Sequence, residues 1–180
     1  GAGQTTFVGS CLFDNNQTIN TGGPGGGIRI ENGSATVQNC TFTNNSVSSS
    51  GGGIYTYSNV TAFSILYCTF TNNTAVNNGG GMCLNNDALT IDHCDVNQNT
   101  ANSCGAVYLR YCNTGESTIN DSNFNNNTVT SSPGGFYAED SIISFNRCNF
   151  NNNAFSGFRS FNGTTNFTDC TVDSNIGGGG

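Results

Sequence analysis

The chain has 180 residues, a formal charge of −7 and only 8% charged residues; its cations are Arg29, Arg110, Arg147 and Arg159, with no Lys. Cations this few and this far apart make no basic stripe for phosphate, which excludes a nucleic-acid partner. The apolar runs are a handful of residues long, far short of the roughly 20 that cross a bilayer, so no transmembrane helix is predicted.

Small polar residues dominate, with 25 Gly, 31 Asn, 22 Thr and 18 Ser. Apolar residues scattered through such a chain would not offset the entropy of ordering it. They fall instead into a register that repeats every 22 to 29 residues, the period of one solenoid coil. The first copy carries Val8 and Cys11-Leu-Phe13-Asp-Asn-Asn16, and the second Ile28, Val37 and Cys40-Thr-Phe42-Thr-Asn-Asn45. The third carries Ile54, Ile65 and Cys68-Thr-Phe70-Thr-Asn-Asn73, the fourth Met82, Ile91 and Cys94-Asp-Val96-Asn-Gln-Asn99. The fifth has Val107, Ile119 and Ser122-Asn-Phe124-Asn-Asn-Asn127, the sixth Phe136, Phe145 and Cys148-Asn-Phe150-Asn-Asn-Asn153. The seventh ends the series with Phe158, Phe167 and Cys170-Thr-Val172-Asp-Ser-Asn175.

Residues two apart in a strand share a face, so the Cys and Phe of C-x-F point together, and inward. Stacking coils about 4.8 Å apart then satisfies the backbone and sets Phe on Phe and Cys on Cys. The recurring Asn bonds its counterparts through its amide, and Gly before the apolar turn residue permits close backbone approach. Each coil is read as three short β segments separated by turns. Apolar residues never recur at helical spacing and the Gly and Asn content opposes helices, so helical repeats and a β-sandwich are set aside. The prediction is one all-β domain over 1–180, a right-handed parallel β-helix of about seven coils, its hand taken partly from the crossover rule and partly from resemblance to known β-helix repeats.

The alternation of F-x-x-N, at Phe13/Asn16, Phe42/Asn45, Phe70/Asn73, Phe124/Asn127 and Phe150/Asn153, with G-G-[apolar] resembles the repeats of the chlamydial polymorphic membrane proteins and similar adhesin-like β-helix proteins. The resemblance implies a surface-exposed or extracellular β-helix used for adhesion or as a stalk.

Polysaccharide lyases and hydrolases also use this fold, but their chemistry needs clustered carboxylates or a Ca²⁺ site. The best local cluster here is Asp92, His93, Asp95 and Asp121, which reads as a solvated outer face; no enzyme activity, cofactor or metal is predicted. Six of the nine Cys (Cys11, Cys40, Cys68, Cys94, Cys148 and Cys170) share a ladder position that Ser122 also fits, which points to buried free thiols rather than vertical bridges. Cys83, Cys104 and Cys112 lie off that ladder and are open to a local bridge or an intermolecular link. Of ten N-x-S/T sequons, Asn44, Asn72 and Asn126 share one outward turn position and Asn32, Asn59 and Asn162 lie in loops; these six are the predicted glycan acceptors, while Asn16 occupies the ladder.

Neither end carries a capping segment. Cys170 to Gly180 adds 10 residues and Gly1 to Cys11 adds 11, a joint spacing of 21 beside the preceding 22. The ends together complete one coil, so the expected partner is a second copy stacked head-to-tail, or the chain is a segment of a longer β-helix. The reading is a structural, non-catalytic, glycosylated subunit of a cell-surface fibre. The alternative is an adhesin that binds a receptor or glycan through its outer face or the loop 113–117.

Overall fold

The structure, a computed structural model, describes residues 4–19, 23–57, 60–115, 117–131 and 134–177. Every strand pair among them is parallel, and each links a strand to its counterpart one coil away. Four sheets run the length of the stack. The longest has seven strands: Thr5–Gly9, Gly33–Gln38, Val60–Leu66, Leu89–Asp92, Ser117–Asn120, Ile142–Asn146 and Thr164–Thr168. The Phe sheet follows it around the coil, in four strands (Leu12–Asp14, Thr41–Thr43, Thr69–Thr71, Asp95–Asn97) and two more (Asn149–Asn151, Thr171–Asp173), bridged through Asn123. A six-stranded sheet follows the Gly-rich turns: Ile28–Ile30, Ile54–Thr56, Met82–Asn85, Val107–Arg110, Phe136–Glu139 and Phe158–Phe161.

Two expectations need correcting. Seven rungs of the longest sheet enclose about six turns, not seven, because the first and last rungs bound the stack rather than each contributing a full coil. The first four turns also hold four strands each rather than three; in the fifth and sixth one of the four is reduced to an isolated bridge, at Asn123 and Ala154. The extra one follows the ladder Asn (Gln17–Thr18, Ser46–Val47, Thr74–Asn78, Thr100–Ser103, Thr128–Val129) and forms a five-stranded sheet. Several of these strands are two residues long, too short for a period-2 pattern to show, and they bury a small separate cluster of Val47, Ala75 and Ala101.

The three predicted apolar columns are in register. Val8, Val37, Ile65, Ile91, Ile119, Phe145 and Phe167 are successive partners, as are Ile28, Ile54, Met82, Val107, Phe136 and Phe158. Phe13, Phe42 and Phe70 stack with centroids 4.7 Å apart and planes within 6°. Past Val96 a second mode joins the first: Phe124 and Phe150 stack again at 5.1 Å, while Phe136 meets Phe124 and Phe145, and Phe145 meets Phe150, edge-to-face at 5.2–5.3 Å, a favoured aromatic geometry. Phe13, Cys11 and Asn16 on the first rung hold their columns without the full burial expected of them, because no described coil covers them.

The Asn column is the best-satisfied part of the interior. Each Asn Nδ2 donates to Oδ1 of the next Asn at 2.8–3.2 Å, from Asn16 through Asn45, Asn73, Asn99, Asn127 and Asn153 to Asn175. From Asn45 onward, Nδ2 also donates to the carbonyl of the Phe or Val one coil back, at 2.7–3.0 Å. The backbone N–H of each Asn adds a second donor to the same Oδ1. Five of these amides are fully buried, so each lost partner leaves a desolvated group unpaired.

The thiols do a weaker version of the same job. Backbone N–H groups of Cys11, Cys40, Cys68 and Cys148 point at the next Sγ at 3.4–3.5 Å, and at Cys94 the acceptor is Ser122 Oγ at 3.0 Å. A small side chain that both accepts and donates is what the slot takes, which is why Ser fits. In the Gly-rich turns the coils touch backbone to backbone: a Cβ at Gly26 or Gly52 would lie 2.2 Å from the carbonyl oxygen of Gly52 or Gly80.

Asn99→Ala removes the acceptor for two donors of Asn73 and the donors to Phe70 and Asn127. It is expected to cost about 2–5 kcal/mol in chemical denaturation, whereas Asn77→Ala on the surface stays within about 0.5 kcal/mol.

Candidate functional sites

The residue before the Cys column has positive φ in every coil: Ser10, Asn39, Tyr67, His93, Asp121, Arg147 and Asp169, at 48–54°. This left-handed corner aims their side chains outward in a single file. Tyr67 stacks on His93 at 5.0 Å, His93 Nδ1 lies 3.0 Å from Asp92 Oδ2, and Arg147 donates to both oxygens of Asp121 at 2.6 and 2.7 Å. The Arg147 hydrogen bonds hold the Asp121 carboxyl below its ordinary range. Of the four residues in the predicted cluster, Asp92, His93 and Asp121 have ligand atoms within 4.8 Å of one another. Asp95 is apart, on the Phe sheet, accepting from Asn123 Nδ2 at 2.7 Å. Arg147 already neutralises Asp121, so the group reads as a surface ion pair beside an aromatic stack.

The turn before each ladder Asn is a second left-handed column, Asn15, Asn44, Asn72, Gln98, Asn126, Asn152 and Ser174, at 53–59°. Asn tolerates that conformation better than most residues, which by itself accounts for Asn here. Asn44, Asn72 and Asn126 are exposed in it, with Asn44 Nδ2 donating to Asp14 at 3.0 Å. Asn32 and Asn162 are exposed, the latter bonded to Asp140, and Asn59 lies outside the described residues. Of the loop 113–117, Asn113 and Thr114 are exposed and Ser117 is buried, its hydroxyl accepting from Leu89 N–H at 3.1 Å; residue 116 lies outside the described residues.

All nine thiols are unbridged in the structure; Cys11 is exposed, Cys170 half-buried and the other seven buried. Cys83, Cys104 and Cys112, open to bridging in the sequence, are each surrounded by the fold. Burial pushes the Cys83 and Cys112 thiols up to about 12 and Cys148 to about 11.

Sequence motifs do not mark one further concavity. It is a groove of about 540 Å³ on the outer face of the six-stranded sheet, lined by Tyr55, Tyr57, Tyr108 and Tyr111 with Arg110 and Cys83. A signal was present: Tyr55 and Tyr57 in the third repeat and Tyr108 and Tyr111 in the fifth follow the Gly-rich corners, the first of each pair at matching places in the coil.

The Asn ladder is directional. On the first rung Asn16 donates to Asn45, and among the described residues its Oδ1 takes no ladder donor; on the last rung Asn175 takes two donors from Asn153 and sends one amide N–H back to Phe150. Within the ladder each Oδ1 therefore accepts from the coil before it and each Nδ2 donates to the coil after it. Phe7, Leu12 and Ile19 are exposed on the first described turn and Phe167, Val172 and Ile176 on the last.

A family profile described as "Right handed beta helix region" matches residues 26–180, the greater part of the chain, and carries the predicted hand with it. Neither a curated protein nor a solved structure matches the chain.

The thiols give two measurable consequences. In the isolated native chain a thiol reagent labels Cys11 quickly, Cys170 slowly and the other seven only after denaturation. Unfolded thiols ionise near 9, whereas Cys83, Cys112 and Cys148 hold their protons to about 11–12 when folded. Their contribution to stability is full below pH 9 and is lost as pH rises from 9 to 12, so thermal melting followed by circular dichroism shifts down across that window.

Proposed function

This chain belongs to the right-handed β-helix family, and within it we propose a structural, non-catalytic role: a rod segment of an extracellular fibre, glycosylated on its turns and extended by end-to-end stacking. The observation that carries this reading is the continuity of the columns: from Asn16 to Asn175 each ladder amide donates along the axis to the Asn of the next coil, and the Phe and Cys columns follow the same rise, so a further coil of the same kind continues every column. A head-to-tail contact that continues the columns in this way does not close and propagates as a filament.

A second reading, a surface adhesin, is supported by the aromatic groove, which contributes nothing to stacking. Catalysis has less support: among the described residues the one group with convergent metal-ligand geometry is engaged with Arg147.

Electron microscopy and sedimentation of the full-length protein test the stacking. Rods that lengthen with concentration are expected, together with loss of Cys11 labelling on assembly and disruption by Phe13→Asp; dispersed monomers at every concentration would sink the proposal.

The glycans are tested separately. Asn44 and Asn72 sit on adjacent rungs about 4.8 Å apart, too close for two bulky glycans, whereas the Gln98 rung separates Asn72 from Asn126. Glycopeptide mass spectrometry of protein secreted from a eukaryotic host is expected to find Asn126 together with Asn44 or Asn72, and not both neighbours on one molecule. Ten bare sequons would remove glycosylation from the reading.

A further inference from the structure

We propose that the groove on the six-stranded sheet is a binding site for a neutral oligosaccharide. Its shape follows from one break in an outward column. Arg29, Tyr55, Cys83, Tyr108, Tyr137 and Arg159 are successive partners across the six strands, so a small thiol stands between two tyrosines. Tyr55 and Tyr108 are two rungs apart, roughly 9.6 Å along the axis, and each associates away from the gap. Tyr55 packs with Tyr57 at 6.4 Å, while the Tyr108 hydroxyl donates to Glu139 Oε2 at 2.7 Å and its ring lies 5.5 Å from that of Tyr137. Cys83 becomes the floor. The resulting volume of about 540 Å³ lies in the range of sites that enclose small ligands.

The lining selects the ligand class. Tyrosine has an apolar ring and a polar tip, and four of them in one groove offer flat surfaces to an amphipathic ring. Asn78 and Asn85 add amide groups at the wall, able to donate and accept. A sugar ring has the matching character, with C–H groups on its faces and hydroxyls around its edge. Charge argues against an acidic ligand. The one cation in the lining, Arg110, is held by Glu139, with Nη2 donating to Oε1 at 3.2 Å and Nε 3.1 Å from Oε2, and its guanidinium lies over the Tyr111 ring at 4.7 Å. Asp87 on the rim has no ion-pair partner among the described residues, and the chain carries −7 overall. A uronate or phosphate would meet repulsion with no free cation to offset it. Burial, and then the bond to Glu139, raise the Tyr108 hydroxyl above its ordinary value, so Tyr108 keeps its proton and its bond to Glu139 through neutral pH.

The chain has no Trp and four of its six Tyr line the groove, so tyrosine emission is weighted towards it. The full-length protein is titrated with cellohexaose, xylohexaose and mannohexaose, with oligogalacturonate as the acidic comparator. At least one neutral hexasaccharide is expected to give a saturable change. Tyr57→Ala and Tyr111→Ala, both at exposed positions, are each expected to weaken it about tenfold or more at unchanged melting temperature. The proposal is overturned if none of the three gives a saturable signal, if both variants bind as the parent does, or if oligogalacturonate binds as tightly as the neutral sugars. The lining residues lie on the flank of the stack, so these outcomes do not depend on whether the ends assemble.

Discussion

In-register parallel stacking is the constraint on which the rest of this molecule depends: the principal neighbour of nearly every side chain is its own counterpart one coil away. Only residues that bond or pack well with copies of themselves suit such a column. Phe achieves this by parallel ring overlap at 4.7 Å, and Asn by an amide that is donor and acceptor at once. Charged residues fail the test in the interior, because like charges at rung spacing repel, and the chain accordingly has few of them.

The same constraint overrides local preference at the corners. Tyr67 and Arg147 adopt φ of 53° and 54°, a region that bulky residues rarely enter, because the turn must close at the same place as in the coils above and below. Cys104 does likewise at 58°, in the column where Gly25, Gly51 and Gly79 supply positive φ. A solenoid therefore distributes strain by position in the coil, and residue identity at a corner is freed for the surface.

Where a column changes residue type, the structure acquires shape. Cys83 between Tyr55 and Tyr108 opens the groove, Val96 interrupts the parallel Phe stack between Phe70 and Phe124, and Arg147 beside Asp121 converts a potential anion cluster into an ion pair. Departures from the repeat, rather than the repeat itself, are where this molecule differs from any other stack of coils.

The amino-acid sequence by itself determined the architecture. C-x-F-x-x-N and the Gly-apolar turn recur often enough to set the register, and the register dictates three ladders, their partners and the parallel pairing. It did not reveal the fourth strand, because two residues such as Ser46–Val47 carry no period, nor the turn count, because rungs and turns differ by one. Only the tertiary structure decided which of the outward residues meet. Asp95 lies three positions from Asp92 in the chain yet on another sheet, whereas Asp121, 29 positions away, is its neighbour across one rung. The groove was out of reach for the same reason: its tyrosines are distant in sequence, and the gap between them exists only when consecutive coils are laid one upon another.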